Sequence, residues 1–152
     1  MAALSRRRLL AAAAAGVLVT KVRISHALPA LEALQPLVRK ITGGAPLREG
    51  KVTLEVPHLS DNGHAVPLKV SVASAMDSRD YVREIHLLSE RNPRPVMAVF
   101  HFTPESGRAE ISTRVRLNGA QNLLVIAAMS DGSFWAASAE VIVTETACLD
   151  AT

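Results

Sequence analysis

Residues 108–117, Arg108-Ala-Glu-Ile-Ser-Thr-Arg-Val-Arg-Leu117, alternate without a break. Ala109, Ile111, Thr113, Val115 and Leu117 fall on one side, and Glu110, Ser112, Arg114 and Arg116 on the other. That period of two is the pattern of a half-buried strand. Asn118-Gly119 follows as a hairpin signal, Gln121 to Met129 is a strongly apolar strand, and Asp131-Gly132 is a further hairpin signal.

Working outward, the same punctuation recurs. On the N-terminal side, Lys51 to Val56 alternates and stops at Pro57, and Asp61-Asn62-Gly63 supplies residues suited to a tight hairpin turn. Ala65 to Val72 returns as the partner strand, Tyr81 to Leu88 alternates again, and Val96 to Phe102 follows Asn92-Pro93-Arg94-Pro95. On the C-terminal side, Ser133 to Ala136 and Glu140 to Thr146 close the series. Seven or eight short strands separated by turn residues predict an all-β, immunoglobulin-like antiparallel β-sandwich. Ahead of it, Leu28 to Ile41 has apolar residues at 31, 34, 37, 38 and 41, a helical spacing interrupted only by Pro36 and ended by Thr42-Gly43-Gly44. The expected organisation is a leader over 1–27, a helix and linker over 28–46, the sandwich over 47–147 and a tail over 148–152.

A chain of 152 residues suffices for one domain with a real core. Apolar residues make up 49% and aromatics 3%, so that core is aliphatic. The formal charge of +3 is misleading, because five of the seventeen basic residues and none of the fourteen acids lie in 1–27. The remainder carries twelve basic against fourteen acidic residues, a net −2, which leaves no nucleic-acid footprint.

Arg6-Arg7-Arg8, the apolar run from Leu9 to Val19 and the small-x-small site Ser25-His26-Ala27 form a secretory leader. The run is too short for a mature membrane span. Ser5-Arg6-Arg7 with Leu9-Leu10 is similar to a twin-arginine signal, the bacterial address for proteins exported folded. An ordinary secretory signal or an uncleaved anchor is the alternative. The mature chain is expected outside the cytoplasm, with no membrane attachment after cleavage.

The polar inventory offers little chemistry. His58, His64, His86 and His101 lack the close paired spacing that metal sites favour, although His86 and His101 can face each other on adjacent strands. No metal or cofactor is expected. Ser106, in Pro104-Glu105-Ser106-Gly107, lies between strands and is no nucleophile elbow. Phe134-Trp135 reads as core or partner-facing surface. Cys148, the single thiol, stands four residues from the end, just past the last strand. Its thiolate is the reactive form, and Glu145, Asp150 and the terminal carboxylate disfavour that anion, with no Lys or Arg after Ser133 to oppose them. An inert, packed cysteine is the plainer reading.

Several segments together resemble the SoxY family, the sulfur-carrying subunit of the bacterial thiosulfate-oxidation carrier complex. They are Lys51-Val-Thr-Leu-Glu-Val-Pro57, Asp61-Asn-Gly63 with Val66-Pro67, Asn92-Pro-Arg-Pro95, Phe100-His-Phe-Thr-Pro104, Ser112-Thr-Arg-Val-Arg-Leu117, Gln121 and Met129-Ser-Asp-Gly-Ser-Phe-Trp135. The resemblance implies an immunoglobulin-like sandwich paired with a SoxZ-like sandwich subunit, and a tail cysteine that carries sulfur between periplasmic sulfur-oxidation enzymes. Such a protein is a carrier and not itself an enzyme. The family's arm is Gly-Gly-Cys-Gly-Gly, whereas this chain ends Thr146-Ala-Cys-Leu-Asp-Ala-Thr152, with no glycine after Gly132. Glycine lets an arm enter a narrow channel with many backbone conformations, and Leu149 and Asp150 make it bulkier. From Thr144 to Cys148 the extended reach is about 13–14 Å.

Three readings follow. The first is a SoxY-like carrier with Cys148 as the covalent attachment point for a persulfide or thiosulfonate. The second is a non-carrying docking subunit with Cys148 inert, and the third a periplasmic metal or redox accessory using His101 or Met129.

Overall fold

The computed structural model of the chain describes residues 31–145. The helical spacing gives helix α1 over Leu31–Thr42, which runs through Pro36 and places Arg39 and Lys40 in its last turn, where cations complement the helix dipole. Nine strands follow: β1 (Leu47–Arg48), β2 (Val52–Glu55), β3 (Leu59–Asn62), β4 (Val66–Val72), β5 (Val82–Ser89), β6 (Val96–His101), β7 (Glu110–Val115), β8 (Gln121–Met129) and β9 (Phe134–Glu145). They build an immunoglobulin-like sandwich. One sheet has the order β1-β9-β8-β5-β6, with β3 also paired to β9, and the other is β2-β4-β7.

The alternation read from the sequence sets what faces the core. Val66, Leu68, Val70 and Val72 of β4, with Ile111 and Val115 of β7, pack onto Ile85 and Leu87 of β5 and onto Leu123, Val125, Ala127 and Met129 of β8. A second cluster lies on the outer face of the larger sheet, where Leu34 and Val38 of α1 cover Leu88, Leu124, Ile126 and Ala136. Strand β8 is therefore covered on both faces, which is why Leu123 to Met129 is an unbroken apolar run and not an alternating one.

Some expectations need correction. Asp61-Asn62-Gly63 is not a tight hairpin turn. Leu59–Asn62 is itself β3, which crosses to the other sheet and pairs in parallel with the end of β9, while β2 and β4 pair antiparallel across that excursion. Asn118-Gly119 does hold a left-handed residue, Gly119 at φ +81°, but it links two sheets, since β7 pairs with β4 and β8 with β5 and β9. Asp131-Gly132 is the true hairpin, with Gly132 at φ +82° between β8 and β9. The last two expected strands are one continuous β9. The sandwich is mainly antiparallel, and its two parallel pairings, β1 and β3, both lie on β9.

Candidate functional site

Strand β9 positions the end of the chain. Its first eight residues pair with β8, from Phe134 opposite Ala128 to Val141 opposite Gln121. Its last four run on past the edge of β8 and are held by β3 instead, with Leu59 opposite Ile142 and Asn62 opposite Glu145. The Ile142 amide donates to the His58 carbonyl at 2.7 Å, the Thr144 hydroxyl to the Asp61 carbonyl at 3.1 Å, and the Gly63 amide to the Glu145 carbonyl at 3.0 Å. The Gly63 carbonyl in turn accepts from the Leu117 amide at 2.8 Å. So the final described residue is tied to both sheets. Cys148, the candidate thiol, follows three residues later and lies outside the described residues, as does the leader over 1–27.

At this same end a buried polar network fixes the loop between β5 and β6. Ser89 and Gln121 are two of only three buried polar residues among those described. The Ser89 hydroxyl donates to the Gln121 side-chain carbonyl, which also accepts from the Arg91 amide at 3.0 Å. The Gln121 amide group donates to Asn92 Oδ1 at 3.1 Å. Asn92 completes the circuit, donating to the Arg116 carbonyl at 2.8 Å and accepting from the Asn118 amide at 2.9 Å. Among the described residues no buried side-chain nitrogen or oxygen lacks a partner, so this network ties the loop to the head of β8. The sequence quoted Asn92 and Gln121 only as motif residues. Their meeting depends on pairing across about thirty positions, and a glutamine opening an apolar strand was the one available signal.

The loops joined by this network carry three exposed arginines, Arg91, Arg94 and Arg116. None has a carboxylate within 4.0 Å among the described residues, and Arg91 also donates to the Ala120 carbonyl at 3.0 Å. The sequence expectation that nothing cationic opposes the acids around Cys148 considered only neighbours along the chain. Cations from β5–β6 and β7–β8 stand at the same end.

The other candidates are placed elsewhere. His86 and His101 do not face each other: His101 lies opposite Glu84, and His86 opposite Val99. Glu84 lies between the two imidazoles, 3.0 Å from His86 Nε2 and 3.4 Å from His101 Nδ1. Among the described residues no group of three or more His, Cys, Asp or Glu is arranged to hold a metal ion. Ser106 ends a short 3-10 turn, Pro104–Ser106, and its hydroxyl accepts from the Thr103 amide at 3.2 Å. Phe134 joins the cluster under α1 and Trp135 the sandwich core, with the Arg48 guanidinium 5.8 Å and the Lys51 ammonium 5.4 Å from the Trp135 ring centre. Beside them a polar cavity of about 210 Å³ is lined by Arg48, Asp131 and Ser133 among others. The Ser133 hydroxyl and amide hold the Asp131 carboxyl below the usual range, helped by Lys51 and Arg48. This cavity borders the β8–β9 hairpin, at the opposite end of β9 from Glu145, roughly 36 Å away along a twelve-residue strand.

The fold and the segments quoted above match known proteins. The family described as sulfur oxidation protein SoxY matches residues 38–148, a span that closes on Cys148. No curated protein matches the chain. Among solved structures, the sulfur carrier protein SoxY from Chlorobium limicola f thiosulfatophilum superposes with a TM-score of 0.62 at 25% identity, covering 74% of this chain and 97% of that one. Superoxide reductase (neelaredoxin) from Ignicoccus hospitalis superposes at 0.56 with 19% identity, covering 62% and 80%, and superoxide reductase from Nanoarchaeum equitans at 0.54 with 12% identity, covering 64% and 99%. The last two share the fold alone. With a sandwich of this topology and a family match over most of its length, the chain belongs to the SoxY family of sulfur oxidation proteins.

Proposed function

We propose that the chain is a covalent sulfur carrier of periplasmic reduced-sulfur oxidation, bearing its cargo on Cys148 and acting with a SoxZ-like sandwich subunit. It is a substrate of partner enzymes and not a catalyst. The observation that carries this reading is the family match, which runs from the middle of α1 to Cys148 itself. The anchored end of β9 suits it, because a short tether on a rigid root presents a thiol in one region of space. Chemically the cargo joins through an S–S bond. Making that bond from a thiol and thiosulfate releases one proton and two electrons, so loading needs an electron-accepting enzyme, and release is hydrolytic or by thiol exchange. The twin-arginine-like leader fits export of a folded carrier already docked to a partner that lacks a signal of its own.

The test is mass spectrometry of the protein isolated from cells grown on thiosulfate. Adducts of whole sulfur units on the Cys148 peptide, absent from a Cys148→Ser variant, are expected. A clean thiol under all growth conditions would reject carriage. The glycine-free tail, Thr146-Ala-Cys-Leu-Asp-Ala-Thr152, favours a docking subunit with an inert thiol as the second reading.

A further inference from the structure

A strand at the end of a sheet leaves one row of backbone N–H and C=O groups unpaired, and folded proteins guard such rows with charge or proline. Among the described strands, the edges β1, β2 and β3 carry Arg48, Glu55 and Asp61, and the edge β7 carries Glu110 and Arg114. Strand β6, Val96-Met-Ala-Val-Phe-His101, closes the larger sheet and contains no Asp, Glu, Lys, Arg or Pro. Its one guard is a bulge beside Leu87 and Leu88, which leaves Ala98 to His101 in regular pairing with β5. The Phe102 amide donates to the Arg83 carbonyl at 2.9 Å. By alternation the backbone groups of Phe100 and Ala98 also turn to β5, and those of Val99 and His101 turn to the free edge. Val99 is 38% exposed and lies opposite His86, on the sheet face that α1 partly covers. Ala98 and Phe100, on the other face, are only partly buried at the rim of the sandwich core.

We propose that two copies of this chain pair through β6, antiparallel about a two-fold axis, to make one continuous sheet. An open strand edge is filled by another strand edge, and this one is complementary to itself. The outward backbone groups set the register. With Val99 of one copy opposite Val99 of the other, the two valines exchange both of their N–H···O=C bonds, His101 falls opposite Met97, and Phe100 opposite Ala98. Phe100 and Ala98 then meet apolar to apolar on the core face, and the exposed Val99 is covered by its own copy on the outer face. Neither strand brings a like charge to the axis. The charged residues of neighbouring β5, Glu84 and Arg83, lie opposite His101 and Phe102, displaced from the centre. A contact of this length is at the small end of specific interfaces, below about 1,200 Å² in total, so the dimer is weak and concentration-dependent. Strand β9 lies three strands away across the sheet, so pairing is separable from carriage and does not rest on it.

The test is sedimentation equilibrium of the protein under reductant, which keeps Cys148 from linking two chains, from about 5 to 500 μM, the range that resolves a micromolar dissociation constant. A monomer–dimer equilibrium is expected. Val99→Lys places an ammonium from each copy at the axis and should weaken the dimer about tenfold or more. Ile142→Lys, the same change at a residue of equal 38% exposure on β9, should leave it unaltered. Amide exchange in the native protein locates the contact without any variant. The Val99 and His101 amides should slow severalfold as concentration rises, while those of Ala98 and Phe100, already turned to β5, should not. A dimer in which the Val99 and His101 amides keep one rate throughout, or an equal loss in both lysine variants, overturns the proposal. A chain that stays monomeric also overturns it, and slowing of those two amides only on addition of a SoxZ-like subunit would assign the edge to a different partner. Sulfur loading on Cys148 enters neither measurement, so this inference and the carrier reading can fail independently.

Discussion

Gln121 is 4% exposed at the head of a strand that is apolar from Leu123 to Met129; its side-chain carbonyl accepts from Ser89 and Arg91, and its amide donates to Asn92 and to the Gly119 carbonyl. Replacing it with leucine keeps most of the volume, strands the buried Ser89 hydroxyl and takes the acceptor from the part-buried Arg91 amide. Leaving buried donors unmet costs about 1–3 kcal/mol, so Gln121→Leu should lower the urea midpoint of unfolding without changing the slope. A neutral effect would show that water enters the loop. Acid sensitivity also belongs to single residues. The Asp131 carboxyl is lowered chiefly by the Ser133 hydroxyl and then by the Ser133 amide, and Asp77 by the Asp80 and Arg79 amides. A depressed carboxyl stabilises the fold above its unfolded-state value of about 3.9 and loses that contribution as pH falls through the folded value. Thermal melts should therefore show native and Asp131→Asn proteins differing at neutral pH and converging as pH falls below the ordinary carboxylate range. None of this residue chemistry was readable in advance, apart from Asp131-Gly132 as a turn, because the partners of Gln121 and Asn92 come from distant segments.

Among the elements, α1 and β8 show how far local pattern reaches. The 31, 34, 37, 38 and 41 spacing placed the helix correctly through Pro36 to the Gly43-Gly44 stop. What it left open was the surface that the helix covers, and the apolar run of β8 answers that, since only a strand covered twice needs Leu124 and Ile126 as well as Leu123 and Val125. Truncating Leu34 to alanine should cost about 2–5 kcal/mol, as expected for a buried leucine. Hydrogen exchange should then rise at α1 more than in the β2-β4-β7 sheet; uniform loss of protection would mean the helix is integral to the whole domain and not a cover on one face. Strands β3 and β9 mark the limit of sequence reading. Asp61-Asn62-Gly63 has turn chemistry, but the pairing of Leu59 with Ile142 spans more than eighty residues and runs parallel, which no local signal encodes. The expected break within β9 failed for a related reason. Ala136 to Glu140 lacks strong β-formers, and neighbouring β8 supplies the pairing that composition does not.

Taken as one body, the molecule was legible in class and not in wiring. Alternation and turn residues identify a sandwich because strands such as β4 and β7 have one wet and one dry face. They cannot say that Asn118-Gly119 joins two sheets, since a left-handed glycine serves a crossover as well as a hairpin. For the candidate site the sequence named one atom, that of Cys148, which lies outside the described residues, and nothing of the structure at the end of β9. Ser89, Asn92 and Gln121, which lock the loop at that end of the sheet, are 24 to 56 positions before Glu145 in the chain, and only the fold gathers them.

The clamp of β3 and Gly63 on the last residues of β9 sets a limit on the proposed delivery of sulfur. On the carrier reading, three residues separate Glu145 from the attachment point, a fully extended backbone reach of roughly 10 Å. A catalytic centre at the foot of a deep shaft is out of its range. An enzyme that took sulfur from such a carrier would have to keep its reacting groups close beneath an open face, and to seat the whole sandwich against that face before any sulfur changed hands.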